Sequence, residues 1–181
     1  MTARMRVTLT GLLTILATST AASAQDTAIS VVERDGVYVV SARFTLIEPA
    51  SVVRSVLTDY AGIPRFMPNV QTSRVLTRGD GTARIEQVAV SRYLMFSKQV
   101  HLVLNVEEGI DVIRFRDECG RSFAQYEGSW TMTGHGANTE LYYELMARPT
   151  FSVPAFVLRK LLDRDARQMI AGLAAEAHAR R

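Results

Sequence analysis

The chain has 181 residues, of which 48% are hydrophobic and 22% are charged, proportions that are ordinary for one globular domain. This composition argues against a disordered or coiled-coil protein. The formal net charge is only +3 at pH 7, and two of the positive charges are Arg4 and Arg6, so charge gives no reason to expect nucleic-acid binding.

Residues 1–24 are predicted to be a signal peptide. A basic start precedes an apolar run over Val7–Ala17, and Ala22-Ser23-Ala24 fits the small residues that signal peptidase recognises. The run is shorter than the roughly 20 residues of a membrane-spanning helix, although an uncleaved anchor remains the alternative. We therefore expect a mature chain that begins at Gln25, forms a single domain over 25–181, and is periplasmic or secreted.

The first predicted elements after this segment form a β-hairpin. An apolar run over Ile29–Val32 leads to Asp35-Gly36, a strong hairpin signal, and then to a long strand over Val37–Ile47. The even-numbered residues from Tyr38 to Leu46 are all apolar, which predicts that they form the buried face of this strand.

Two short helices are predicted next. Glu48-Pro49 ends the strand and opens the first helix, where apolar residues recur at helical spacing from Val52 to Leu57. Asp59–Gly62 ends that helix. The second helix, within Ile63–Pro68, is bracketed by prolines and has room for one or two turns.

Six further strands separated by glycine-rich turns predict an antiparallel meander. They are expected at Val70–Thr77, Thr82–Tyr93, Val100–Val106, Asp111–Arg116, Gln125–Thr133 and Thr139–Arg148.

The last predicted element is a long helix from Pro154 to about Ala177. Its apolar residues recur every three or four positions, which places them on one face. They are Leu158, Leu161, Leu162, Met169, Ile170 and Leu173. An apolar strand face and an apolar helix face must cover each other, and this arrangement suggests a cavity between them.

The segment Val56–Pro68 resembles the helix pair of the START-like or Bet v 1-like helix-grip superfamily, and Gly128-Ser129-Trp130 is similar to its late-strand tryptophan. The resemblance extends over roughly Val37–Ala177 and is closest to the polyketide cyclase/dehydrase branch, which includes coenzyme Q-binding START proteins. It implies an α+β helix-grip fold, in which a curved antiparallel sheet wraps around a long C-terminal helix and two short helices follow the first long strand. Members of the superfamily include lipid carriers, quinone chaperones and cyclases.

The sequence shows no catalytic or metal-binding motif, and we expect no cofactor or metal. His101, His135 and His178 are widely spaced and lack acidic or cysteine neighbours in a metal-ligand pattern. No histidine adjoins Cys119, the only cysteine, which is therefore expected to be a small packed side chain. The patterns of a nucleophile elbow, a P-loop and a dinucleotide-binding fingerprint are also absent.

Glu86 is the strand carboxylate that could face the cavity. It has the same parity as Val88 and Val90, and Arg92 or Tyr143 could satisfy it there. The alternative is an exposed Glu86 near the end of a strand.

Two apolar stretches, Tyr93–Phe96 and Phe151–Val157, occupy positions where turns are usually polar. Loops that expose such residues often gate a pocket or contact a membrane or partner. We expect transient membrane contact there, with a core position as the alternative. The contact residues would be Leu94, Met95, Phe96, Phe151 and Phe156.

Together these patterns predict an exported carrier or chaperone that binds a hydrophobic small molecule, such as a lipid or an isoprenoid quinone, mainly through apolar burial. The predicted lining residues are Phe44, Leu46, Phe66, Met67, Val88, Leu104, Trp130, Tyr143, Phe156 and Leu161, with Glu86 and Arg92 as polar candidates. A cyclase or dehydratase that uses polar cavity groups is the rival hypothesis, and an interaction module with a filled cavity is a third.

Overall fold

Eight strands form one antiparallel sheet in the computed structural model, which describes residues 25–93 and 96–181. The strands are β1 (Gln25–Arg34), β2 (Val37–Leu46), β3 (Val70–Gly79), β4 (Thr82–Tyr93), β5 (Phe96–Glu108), β6 (Val112–Asp117), β7 (Phe123–His135) and β8 (Asn138–Pro149). Their order across the sheet is β1-β2-β8-β7-β6-β5-β4-β3. Each strand from β3 to β7 pairs with the strand that follows it in the chain, so the predicted meander is confirmed.

The helices lie between β2 and β3 and at the end of the chain. They are α1 (Ala50–Leu57), a 3-10 turn (Tyr60–Gly62), α2 (Ile63–Phe66) and α3 (Ala155–Ala179). The structure therefore has the predicted two short helices and long terminal helix. No helix within the described residues is long and apolar enough to span a membrane.

The predicted signal peptide and part of one predicted apolar loop fall outside the described residues. These are residues 1–24, Leu94, Met95 and the side chains of Tyr93 and Phe96.

The first hairpin forms as its turn sequence predicts. Asp35 and Gly36 both have positive φ, 51° and 77°, as a two-residue turn of the type I′ kind requires. Strand β1 is longer than the predicted run Ile29–Val32 because its backbone pairs with β2 as far as Gln25, opposite Thr45. Backbone pairing of this kind leaves no hydrophobic pattern in the sequence.

The core lies between the concave sheet face and α3. Val40, Ala42 and Phe44 of β2 are each only 1% exposed, so the predicted even-numbered face is the buried one. The apolar face of α3 packs against it, with Leu161 and Leu173 among its buried residues.

The prediction that the even-numbered residues of β4 face the cavity is wrong. The odd-numbered residues Ala83 and Ile85 are buried, whereas Glu86 and Val88 lie on the outer face. Both faces of β4 carry apolar residues, so alternation within this strand was ambiguous. The register of β4 with β5 determines which face of β4 is buried. Ile85 lies opposite the buried Leu104, and directly opposed residues share a face.

A glycine allows α2 to contact α3. A β-carbon at Gly172 would clash with the backbone carbonyl of Phe66, so only glycine fits in the present packing. This contact fixes Phe66, and Met67 after it, against the helix.

Ion pairs also hold the C-terminal end of α3 against the segment that contains the short helices. Asp59 Oδ2 accepts hydrogen bonds from Arg180 Nη2 at 2.7 Å and from Arg65 Nη2 at 2.6 Å. Arg180 also contacts Glu176 Oε1 at 2.8 Å.

Candidate functional site

The space between the sheet and α3 contains a cavity of two lobes, of about 100 Å³ and 160 Å³. Four residues line both lobes and separate them: Met67, Gln87, Tyr143 and Met169. We call the smaller one the apolar lobe, since its wall includes Phe66, Ile85, Leu104, Ile113, Trp130 and Leu173. We call the larger one the polar lobe, since its wall includes Asn69, Ser91, Tyr126, Asp165 and Gln168.

Trp130 forms the aromatic wall of the apolar lobe. Its ring centroid lies 4.5 Å from that of Tyr143 and 6.4 Å from that of Phe44, which it meets edge-on at 86°. Trp130 is only 8% exposed. The indole therefore joins the core behind it to the cavity in front of it, and its fluorescence should respond to a molecule in this lobe.

The far end of the apolar lobe is closed by a hydrogen-bonded tyrosine. The Tyr60 hydroxyl donates to Glu108 Oε1 at 2.7 Å. Burial, with the Glu108 carboxylate as the next cause, raises the pKa of Tyr60 above its usual value. Arg78 Nη2 lies 3.0 Å from Glu108 Oε1 and neutralises this carboxylate, and the Arg78 guanidinium lies 5.1 Å from the Tyr60 ring centroid. No unpaired charge therefore faces the lobe at this end.

Two tyrosines of the polar lobe are protonated at neutral pH. Burial raises the pKa of Tyr126 to about 12, with further contributions from the Asp165 and Asp117 charges. Tyr126 as a whole residue is half-buried. Burial likewise raises the pKa of Tyr143 well above 10. Both phenols therefore keep a proton that they can donate.

Asp165 is the charged residue on the wall of the polar lobe. Its Oδ2 accepts a hydrogen bond from Ser91 Oγ, and its Oδ1 lies 3.1 Å from Arg164 Nη2. Arg164 Nη1 donates to the carbonyl of Arg92, and Arg164 Nε is buried without a partner among the described residues. No lysine or arginine side chain of the described residues lines either lobe.

The structure places half of the ten predicted lining residues on the cavity walls: Phe66, Met67, Leu104, Trp130 and Tyr143. Phe44, Leu46 and Leu161 are instead buried in the core away from both lobes. Val88 lies on the outer sheet face, and Phe156 is 67% exposed.

The two predicted polar candidates lie outside the cavity. Glu86 is on the outer face, where Oε1 lies 3.1 Å from His101 Nε2 and Oε2 accepts from Arg74. Hydrogen bonds from His101 and Arg74 lower the pKa of Glu86, as expected of a carboxylate with two donors. The Arg92 side chain is exposed, and only its backbone carbonyl contacts Arg164.

Six polar wall residues were missed by the sequence analysis: Asn69, Gln87, Ser91, Tyr126, Asp165 and Gln168. Asp165 lies four positions from both Leu161 and Met169, which puts it on the apolar face of α3. Tyr126 has the parity of Trp130, and Gln87 has that of Ile85. The spacing of Asp165, Tyr126 and Gln87 therefore indicated the inner face, but polar residues were not considered for that face.

The surroundings of Cys119 also differ from expectation. His101 Nδ1 lies 3.8 Å from Cys119 Sγ, and Asp117 Oδ2 lies 3.6 Å from the same atom. His101 is on the outer face of β5, so this contact is separate from the cavity. Across residues 25–93 and 96–181, no group of three side chains has the geometry to hold a metal ion.

Solved structures with this fold come from several kinds of protein. The chain is 17% identical to the Zhui aromatase/cyclase of a Streptomyces species, with a TM-score of 0.68 over 80% of this chain and 95% of that one. It is 14% identical to human STARD10, with a TM-score of 0.66 over 84% and 73%. It is 17% identical to the STAR-related lipid transfer protein of Xanthomonas axonopodis, with a TM-score of 0.61 over 83% and 98%. At these identities the matches show the shared helix-grip fold.

The sequence itself identifies the family. No curated protein matches the chain. Residues 48–174 match the family described as polyketide cyclase / dehydrase and lipid transport, and this segment includes α1, α2, six of the strands and most of α3. The chain belongs to the polyketide cyclase/dehydrase and lipid transport family.

Proposed function

We propose that this chain binds a hydrophobic small molecule, a lipid or an isoprenoid quinone, in the cavity between the sheet and α3, and acts as its carrier or chaperone. The observation that carries the proposal is the apolar lobe, whose walls are aromatic and aliphatic and whose far end holds no unpaired charge. Each Å² of apolar surface removed from water contributes about 25 cal/mol before the costs of association. The family description and the lipid transfer protein among the structural neighbours support the same class of ligand.

Binding of a lipid-sized molecule requires the two lobes to join. Their volumes, about 100 Å³ and 160 Å³, are below the roughly 300–1,000 Å³ of typical ligand pockets. Met67 and Met169 lie at the junction, and methionine is unbranched and repacks easily. Rotation of these side chains would connect the lobes without a change in the fold.

Native mass spectrometry with added decylubiquinone tests this proposal. Wild-type protein should form a one-to-one complex. The variant Met169→Trp, which fills the junction between the lobes, should keep its circular dichroism spectrum and lose the complex. Equal binding by both proteins would mean that the molecule sits elsewhere on the surface.

A cyclase or dehydratase is the second candidate, and the polar lobe favours it. General acid–base catalysis needs a titratable group beside the substrate, and Asp165 and the hydroxyl of Tyr126 both line this lobe. The enzyme hypothesis predicts that a bound ligand is chemically altered and that Asp165→Asn stops the conversion while binding persists. The carrier hypothesis predicts that the ligand is recovered with unchanged mass. The two open lobes argue against the third hypothesis, a module with a filled cavity.

Export is part of the proposal and rests on the sequence of residues 1–24. Removal of this segment would leave a chain that begins at Gln25, the first residue of β1. The intact mass of the protein recovered from its native compartment tests this. A retained N-terminus in the membrane fraction would contradict it.

Membrane contact is also proposed, with Phe156 as its best-supported residue. Phe156 is 67% exposed in the first turn of α3, next to the exposed basic residues Arg159 and Lys160. Basic residues near anionic head groups add roughly 1 kcal/mol each. Phe151 contributes less, because its ring is half-buried 5.9 Å from that of Phe123.

Binding to vesicles of phosphatidylcholine and phosphatidylglycerol should fall in Phe156→Ser with little change in melting temperature. Ile110→Ser is a matched control, because Ile110 is 89% exposed and its carbonyl bonds Arg54 of α1, near the far end of α3. The 25 residues of α3 span roughly 37 Å, so the two sites lie near opposite ends of this helix. Equal effects of both substitutions, or no effect of either, would refute contact through Phe156.

A further inference from the structure

A cysteine, a histidine and a glutamate lie in contact on the outer face of the sheet, away from the cavity. His101 Nδ1 is 3.8 Å from Cys119 Sγ, and the other ring nitrogen, Nε2, is 3.1 Å from Glu86 Oε1. The three residues come from β5, from the loop between β6 and β7, and from β4. A nucleophile, a base and a group that orients the base, in this order, form the arrangement that activates a thiol.

Glu86 determines which nitrogen of His101 carries the hydrogen. Hydrogen bonds from His101 and Arg74 lower the pKa of Glu86, so its carboxylate is ionised at neutral pH and can only accept. The Nε2 atom of a neutral His101 therefore bears the hydrogen, and Nδ1 presents its lone pair to the thiol. This is the tautomer that can take a proton from Cys119.

The loop between β6 and β7 holds the thiol beside the imidazole. β6 pairs with only the second half of β5, and this loop covers the edge of the first half. Ser122 Oγ accepts a hydrogen bond from the His101 backbone N–H at 3.0 Å, and Cys119 Sγ lies 3.6 Å from the His101 carbonyl oxygen. The approach of the two side chains is therefore fixed by the backbone.

The surroundings of the sulfur favour exchange with a disulfide over acyl transfer. Acyl transfer needs free N–H donors for an oxyanion, but the N–H groups of Cys119 and Gly120 are bound to Asp117 at 3.3 Å and 3.0 Å. Attack on a disulfide needs only a base for the thiol and a proton for the sulfur that leaves. Asp117 Oδ2 is also 3.6 Å from Cys119 Sγ, but a carboxylate is a weaker base than an imidazole.

We propose that Cys119 is a thiol–disulfide exchange site, in which His101 is the base and Glu86 positions His101. His101 Nδ1 removes the thiol proton, and the Cys119 sulfur attacks one sulfur of a small disulfide, R–S–S–R. A Cys119–S–S–R bond forms as the S–S bond of the reagent breaks. The leaving sulfur takes the proton from His101 and departs as R–SH, so no further oxidant is needed. This site is independent of the ligand cavity.

The rate of reaction with 2,2′-dithiodipyridine, an uncharged disulfide, tests the site, because Cys119 is the only cysteine and the thione that is released absorbs light. An unassisted thiol is only a few per cent thiolate at pH 7. Wild-type protein should therefore react at pH 7 about ten- to thirtyfold faster than His101→Gln, which keeps a donor for Glu86 and removes Nδ1. Glu86→Gln should be about three- to tenfold slower than wild type, and Cys119→Ser should release no thione.

Two controls separate base catalysis from access to the sulfur. At about pH 9.5 an ordinary thiol ionises without a base, so wild type, His101→Gln and Glu86→Gln should react at equal rates there. Glu118→Gln removes a charge next to Cys119, but Glu118 pairs with Arg84 and not with His101, so its rate should stay within about twofold of wild type. Thermal melts verify that each variant is folded.

The wild-type protein alone also gives a result. Its rate should rise less than about fivefold between pH 7 and pH 9.5, whereas an unassisted thiol rises by about thirtyfold. A thirtyfold rise, or equal rates of wild type and His101→Gln at pH 7, would show that Cys119 is an ordinary thiol. A slow His101→Gln at both pH values would reduce His101 to a control of access, and an unreactive wild type would make Cys119 a packed side chain. Each of these results overturns the proposal.

Discussion

Gly172 is the position at which the structure makes a prediction opposite to that of helix propensity. Within a helix, replacement of glycine by alanine normally stabilises by about 1 kcal/mol. In α3, however, the new β-carbon would overlap the carbonyl oxygen of Phe66, a backbone atom that cannot rotate aside. Gly172→Ala should therefore destabilise the protein.

The size of the effect follows from what must move. Overpacking of a tight contact typically costs about 1–3 kcal/mol. Relief of the clash requires α2 to move outward, which exposes Phe66, now 8% exposed, at a cost of up to about 1.5–3 kcal/mol. After the propensity gain is subtracted, the expected net loss is about 2 kcal/mol. For a chain of this length that lowers the melting temperature by about 4–8 °C.

Thermal and urea unfolding monitored by circular dichroism measure this loss. Ala175→Gly is the matched control, because Ala175 is exposed on the same helix and its replacement should cost only the propensity difference of about 1 kcal/mol. Destabilisation by both substitutions is the expected result, with the larger loss in Gly172→Ala. An increase in stability in Gly172→Ala would refute the described contact between α2 and α3, and with it the wall that Phe66 and Met67 form.

Two further predictions concern the core and the acid stability. Trp130→Ala should cost about 3–5 kcal/mol in urea unfolding, since the indole packs against Phe44 and Tyr143, and red-shifted, freely quenched emission of wild-type Trp130 would contradict its burial. Burial alone would raise the pKa of Asp59, but hydrogen bonds from Arg180 and Arg65 outweigh it and lower the pKa below its usual value. Asp59 therefore stabilises the fold above the pKa of an unfolded aspartate, about 4, and this stability is lost as the pH falls through the lower folded pKa. Asp59→Asn should reduce the drop in melting temperature between pH 7 and pH 2, and an identical drop in both proteins would show that the ion pairs contribute no linkage.

The sequence predicted the parts of the fold in which one face alone is apolar. In β2 every even-numbered residue from Tyr38 to Leu46 is apolar and buried, because arginine and hydroxyl side chains occupy much of the other face. The same holds for α3, whose spacing of leucines identified its buried side. Such patterns need no knowledge of neighbouring strands.

Prediction failed where pairing decides the orientation. Strand β4 has Ile85 and Ala89 on one face and Val88 and Val90 on the other, so only its register with β5 distinguishes them. The outward position of Glu86 follows from that register.

The polar lobe depends on contacts between residues far apart in the chain. Ser91 bonds Asp165, 74 positions away, and this pairing brings a strand and a helix together. Tyr126 follows an irregularity in the pairing of β7 with β8, between Phe123 and Gln125. The spacing of each residue within its own strand or helix indicates which face of that element it occupies. That these faces meet at one lobe follows only from the folded structure.

The central claim is that the cavity holds a hydrophobic molecule, and its most direct test is the molecule that the protein carries when isolated. Wild-type protein and Met169→Trp would be recovered from cells that produce them, weighed by native mass spectrometry, and extracted with organic solvent. The account predicts a bound hydrophobic compound of defined mass in the wild type, unaltered by incubation and absent from the variant. Wild-type protein that carries no such compound and takes up neither decylubiquinone nor monoolein would contradict it.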